Sequence, residues 1–324
     1  MATTKRSHIP FTRRKFLRGM ASFAGVAAVG SSGIGLSSLR AAVPVAYASW
    51  TLKASATQEA FGDGATVDFF RYQAHLGSES RGNLPYFEAA EGSLVVITVF
   101  NDLPILIRPQ IPGVALGPNI APGTTGWFHF TMPAAGTYLL GQARLSMLSG
   151  PIGFAGVMVS RPANGAQELW SGGPAFDREY VLHYQDSDKR WNDDVAQLTL
   201  PNSAVYEPNY FTVNGLSYPD TTTDADTFLA CQSGERMLLR LSNSGRMRQS
   251  IHFHGYHVET AARDNVPNTM LPAKDTVEVA SGSTTDVILT VNQTGVFPVH
   301  PHSLTAVTAN GLYSFGQLTL IEAV

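Results

Sequence analysis

The sequence predicts an all-β fold of two Greek-key β-sandwich domains, on three observations. From Trp50 onward no segment sustains helical periodicity, while short β-branched or alternating runs recur between Gly, Pro, Asn and Asp. With 30 Gly and 19 Pro, 44% hydrophobic and 15% charged residues, the chain is turn-rich and globular rather than disordered or fibrous. Third, stretches of the first half return in the second at a spacing of about 150 residues, which means two copies of one domain and not a short-period solenoid.

The first set of strands is expected at 51–56, 67–74, 93–100, 126–132, 136–140 and 153–160, with turns at Asp63-Gly64 and Ala121-Pro122-Gly123. A polar, Gly/Pro-rich passage then reads as a linker, placing a first domain over 49–163, the linker over 164–177 and a second domain over 178–324. The second set is expected at 179–183, 209–213, 236–242, 250–261, 276–279, 285–291, 295–298 and 317–322. Three pairs of segments carry the repeat. Glu91-Gly92-Ser93-Leu94-Val95 answers to Ser233-Gly234-Glu235-Arg236-Met237, Ala121-Pro122-Gly123-Thr124 to Ala280-Ser281-Gly282-Ser283, and Gly136-Thr137-Tyr138 to Gly295-Val296-Phe297.

At the N-terminus, Thr12-Arg13-Arg14-Lys15-Phe16-Leu17-Arg18 resembles the twin-arginine export motif. The apolar stretch from Gly19 to Leu39 has eight Gly or Ser between Gly25 and Ser38, too few large side chains for a membrane anchor. The small-x-small site Ala46-Tyr47-Ala48 marks cleavage after Ala48. Residues 1–48 are therefore expected to be a signal peptide read by the twin-arginine translocation machinery, and the mature chain to be periplasmic or secreted. Cys231 stands alone, so no intrachain disulfide forms in that compartment, and its setting suits a buried structural thiol. With a net charge of -3 and scattered basic residues, nucleic acid is excluded as a partner. No G-x-S-x-G, P-loop, HExxH or dinucleotide fingerprint occurs, and Asp264, Asp275 and Asp286 lack the spacing of an acid/base pair.

Of nine His, four form two His-x-His pairs, His252-Phe253-His254 and His300-Pro301-His302, with His257 just beyond the first. Residues i and i+2 of a strand share a face, about 7 Å apart at Cα, so two such strands side by side can converge four imidazoles. Imidazole donors without thiolate or carboxylate suit Cu, Zn, Fe or Ni. The alternative is four imidazoles packed in a sandwich core and hydrogen-bonded to backbone. His75, His129 and His183 are isolated and expected to be structural or solvent-facing, and Met270, Tyr256 and Tyr313 read as wall residues.

The run Tyr210-Phe211-Thr212-Val213-Asn214-Gly215, the HxHG motif His252-Phe253-His254-Gly255, and the segment from His300 to Gly316 resemble the C-terminal domain of multicopper oxidases. The resemblance spans nearly all of 205–324, more weakly 90–160, and implies cupredoxin-like domains with copper. It implies a type 2 role for His252, type 3 roles for His254, His300 and His302, and a supporting place beside the ligands for His257. The departures shape the expected function. Where the family has its type 1 ligands this chain has Gln249, Pro301 and Ala306, and where the first domain should carry HxHG and HxH it reads Arg108-Pro109-Gln110-Ile111-Pro112-Gly113 and Gly141-Gln142-Ala143-Arg144. Electron entry through type 1 copper is missing, so an ordinary laccase cycle is not supported. What is expected is an exported copper protein using His252, His254, His300 and His302, with dioxygen or a small reductant as reactant and trimerisation as in two-domain relatives. The competing expectations are a non-enzymatic scaffold and a copper storage or delivery protein.

Overall fold

The computed structural model describes residues 47–144, 146–268 and 272–324. The export segment, Ala46 and Met270 lie outside the described residues; Tyr47 and Ala48 begin the first strand, Tyr47–Ala60, paired with Leu94 and Val95. Two sandwiches follow one another. The first stacks a four-stranded sheet (Thr66–Ala74, Tyr47–Ala60, Leu94–Asn101, Thr125–Thr131) on a six-stranded one containing Gly156–Arg161, Gly136–Gln142 and Pro109–Ile111 side by side. The second stacks a six-stranded sheet, with Arg178–Ser187, Arg236–Asn243 and Thr284–Thr290 adjacent, on a five-stranded one ordered Leu229–Cys231, Thr319–Ala323, Gly295–Pro301, Gln249–Phe253, Thr276–Val279. The first strand of each sandwich runs parallel to a later strand of the same sheet, Tyr47–Ala60 along Leu94–Asn101 and Arg178–Ser187 along Arg236–Asn243, which shows the repeat in the topology.

Alternation fixes which side chains enter each core. In Leu94–Asn101, Val95, Ile97 and Val99 are fully buried while Leu94, Val96 and Thr98 face out. In Gln249–Phe253, Gln249, Ile251 and Phe253 face in, leaving Ser250 and His252 on the outer face. Cys231 is buried at the sheet edge with Sγ 3.6 Å from the Glu322 carbonyl.

Two expectations need correction. The segment 250–261 is two strands, not one: Gln249–Phe253 belongs to the five-stranded sheet and Val258–Arg263 to the six-stranded sheet. The chain changes layer at Gly255, whose φ of 75° suits a residue without a β-carbon. Helical structure also occurs where none was expected, at Lys189–Ala196, where the Asp188 side chain caps the Arg190 N–H and a Lys189–Asp193 ion pair spans one turn. Its Trp191 and Val195 are buried in the first domain's core, and Asn192 donates to the Asp68 carbonyl.

The interface between sandwiches is built of charge as well as apolar packing. Fully buried Arg240 reaches Glu179 at 2.5 Å and the Thr137 hydroxyl of the first domain at 2.8 Å, and Arg161 joins Glu179 to Glu88. Burial pushes the Glu179 carboxyl up, but Arg240 and Arg161 outweigh it and hold it at about 2. Val181 packs with Leu84, Tyr86 and Val157 beside this network.

Candidate metal centre

His252 and His300 are direct cross-strand partners, between Ile251↔Pro301 and Phe253↔Val299. Both stand on the outer face of the five-stranded sheet and are half-buried. His254 and His302 lie one residue past the ends of these strands, held by the His254 N–H to the Pro298 carbonyl and the His302 N–H to the Ser250 carbonyl. The four rings gather accordingly. His252 is 4.6 Å from His254, 5.0 Å from His302 and 6.0 Å from His300, centroid to centroid, and His254 is 5.1 Å from His300.

The nitrogens sort into a tight pair and two neighbours. Nε2 of His254 and Nε2 of His300 are 3.0 Å apart, a separation that two nitrogens about 2.0–2.1 Å from one ion also have. His300 Nδ1 lies 2.9 Å from the Pro301 carbonyl, which can only accept, so Nδ1 carries the proton and Nε2 the lone pair. His252 Nδ1 lies 3.1 Å from the Thr276 hydroxyl and 3.8 Å from the Asp275 carboxylate, so the Nδ1 side of the ring is the one engaged by the neighbouring strand. Burial, then the neighbouring His252, His300 and His302, hold the His254 imidazole below its usual range, toward the neutral form a metal ligand needs. Among the described residues, no three His, Cys, Asp or Glu side chains are disposed around one point. The donors fit copper in kind, with one pair already at ion-sharing distance and His252 and His302 one ring away.

The remaining histidines stay apart. His257 is exposed beyond the Gly255 turn, His75 sets its ring edge against Phe100, and His129 is exposed beside Trp127. His183 is buried between the hydroxyls of Ser242 and Ser244, each 2.8 Å away. Tyr256 is a wall residue, its hydroxyl on the Gln293 carbonyl and its ring against Phe297. At the positions of a type 1 site, Gln249, Pro301 and Ala306 are buried, and neither polar atom of the Gln249 amide has a hydrogen-bond partner. The set has neither sulfur nor imidazole and does not fit that copper. Sequence reasoning missed Thr276 and Asp275. Their signal was pairing, since Thr276 lies directly across from His252 in the neighbouring strand.

Fold and site together define a two-domain cupredoxin protein with an imidazole cluster on its second domain. Residues 191–314 match the family model described as multicopper oxidase. No curated protein sequence matches. Among solved structures, the blue copper oxidase from Nitrosomonas europaea superposes with a TM-score of 0.72 at 21% identity, covering 86% of each chain. The copper nitrite reductase from the same organism gives 0.67 at 19% identity, over 86% of this chain and 94% of that one. A laccase from Botrytis aclada gives 0.63 at 20%, over 87% and 53%. The multicopper oxidase pattern lies in the second domain, over residues 191–314, and the cupredoxin fold extends over both domains.

Proposed function

We propose that this is an exported copper-dependent oxidoreductase working without type 1 copper, its metal held by His252, His254, His300 and His302. Copper is the cofactor that goes with the matched family and with a donor set made only of imidazoles. The observation that carries the reading is the His254–His300 pair, two Nε2 atoms 3.0 Å apart, with the His300 tautomer set by the Pro301 carbonyl. His252 and His302 complete the set by side-chain rotation, and Thr276 keeps the His252 Nε2 free to join. Copper at this place supplies one-electron chemistry and an open coordination position for dioxygen or a small reductant. The exposed His302 leaves the cluster accessible from solvent. Export rests on the twin-arginine pattern of residues 12–18 and places the chain in the periplasm or outside the cell.

An anaerobic copper titration followed by electron paramagnetic resonance tests this. The expected result is about one copper per chain with nitrogen hyperfine structure and no blue band. The absence of three side chains around one point favours a second reading, a non-enzymatic exported scaffold that keeps the fold. Loading below about one-tenth of a copper per chain establishes that reading instead. Dioxygen uptake with a phenol or a one-electron donor then separates an oxidase from a copper carrier.

A further inference from the structure

The first domain's counterpart of the His252–His300 pair is Gln110 opposite Gly141, and these two line a cleft of about 320 Å³ between the domains. We propose that this cleft binds a small organic acid, its carboxylate against Arg246 and its apolar body against Pro112, Leu139 and Met147. The volume lies at the lower end of the range for small-molecule sites. The second domain contributes the Ser244–Gly245–Arg246 turn and Ser281 to its wall.

Arg246 is the only charged side chain in that lining. Its guanidinium lies 5.1 Å from the ring centres of Trp191 and of Tyr206, and its Nη1 is buried with no hydrogen-bond acceptor. The nearby carboxylate of Asp186 is turned to other donors, the backbone N–H groups of Arg246 and Met247 and the Tyr206 hydroxyl. A guanidinium-bearing side chain at the wall of a cleft lined by no carboxylate selects an anion, and a carboxylate matches its planar fork. A single cation beside Leu139 and the exposed Met147 and Pro112 favours an acid with an apolar body over an inorganic oxyanion, which calls for several donors.

The site is preformed. His183, buried and bonded to Ser242, fixes the Ser244 hydroxyl at the cleft wall. The floor is closed because Gly150 of the first domain meets the Ser244 carbonyl so tightly that a β-carbon on Gly150 would stand 1.7 Å from it. A ligand therefore meets a rigid wall and orders little on binding. None of the clustered histidines lines the cleft, so the inference does not rest on the copper reading.

Isothermal titration of the copper-free full chain with benzoate tests it, with benzamide and inorganic phosphate as comparators. Benzoate is expected to bind saturably, and both comparators at least about tenfold more weakly, as loss of a charge-assisted fork requires. Arg246→Gln weakens benzoate by about tenfold or more. Since Arg246 also covers Trp191, a second variant is needed: Met147→Glu, at an exposed position of the lining, sets a like charge at the cleft and weakens benzoate similarly with the unfolding midpoint unchanged. Absence of saturable binding, benzamide or phosphate equal to benzoate, or Met147→Glu binding as the parent does, each overturns the proposal.

Discussion

Gln110 faces Gly141 across one strand pair of the first sandwich, and His252 faces His300 across the equivalent pair of the second. The frame around both is the same. Three residues after each first member the chain turns at a glycine in the left-handed region, Gly113 with φ 74° and Gly255 with φ 75°. What differs is the outward-facing side chains and what they look onto. The first pair lines the interdomain cleft, while neither member of the second does. Inward positions such as Ile111 and Ile251, both buried, keep the sandwich, whereas outward positions on the same strands can gain or lose metal donors without cost to it.

The largest effect is expected at the donors. His254→Ala with His300→Ala is expected to lower copper affinity by more than the ten- to hundredfold, roughly, that loss of a supporting residue costs, measured by competition with a chelator. The converse graft, Gln110→His with Gly141→His, is expected to add about one bound copper per chain, since a β-carbon at Gly141 has open space around it. Next in size is the seam between the sandwiches. Arg240→Met leaves Asp286 buried without a cation and Glu179 with Arg161 alone, and should cost about 3–5 kcal/mol in urea unfolding.

Acid provides a graded probe of the same seam. Burial pushes the His183 imidazole down to about 3, against about 6.5 in an unfolded chain. The unfolded state therefore takes up the proton first. The contribution is full above about pH 6.5 and is lost as pH falls toward 3, by up to about 1.4 kcal/mol per pH unit. His183→Asn should flatten that part of the stability profile. Glu179, held at about 2 against about 4.3 unfolded, adds its own loss between those two values. The smallest effects fall at the two glycines. Gly113→Ala should cost about 1–2 kcal/mol from φ alone, and Gly255→Ala more, because its β-carbon would stand 2.6 Å from the Phe297 ring. Equal costs would show that the Phe297 ring yields freely.

The frame was legible because alternation and turn residues are local. Leu94–Asn101 and Thr284–Thr290 lie within a residue of where the sequence places them. The layer change at Gly255 was hidden because the residues on both sides of it remain β-forming, and only tertiary packing separates the two strands. The helix Lys189–Ala196 was hidden because, at eight residues, it shows too little periodicity and owes its place to Trp191 entering a core built from the preceding sandwich, between Leu52 and Met158. For the centre, spacing revealed which imidazoles come together, but it could not reveal that His254 and His300 pair most closely, since that depends on where each strand ends. Thr276 and the unpaired Arg246 belong to contacts between distant segments and leave no trace in a linear pattern.

Trp191 and Val195 are encoded after the 164–177 passage yet fill space inside the sandwich encoded before it. Cutting the gene at that passage would thus yield one product missing an indole from its interior and another carrying that indole bare to water. The two halves look like an ancient duplication, but they can no longer be traded as modules, and they should melt together in one cooperative step.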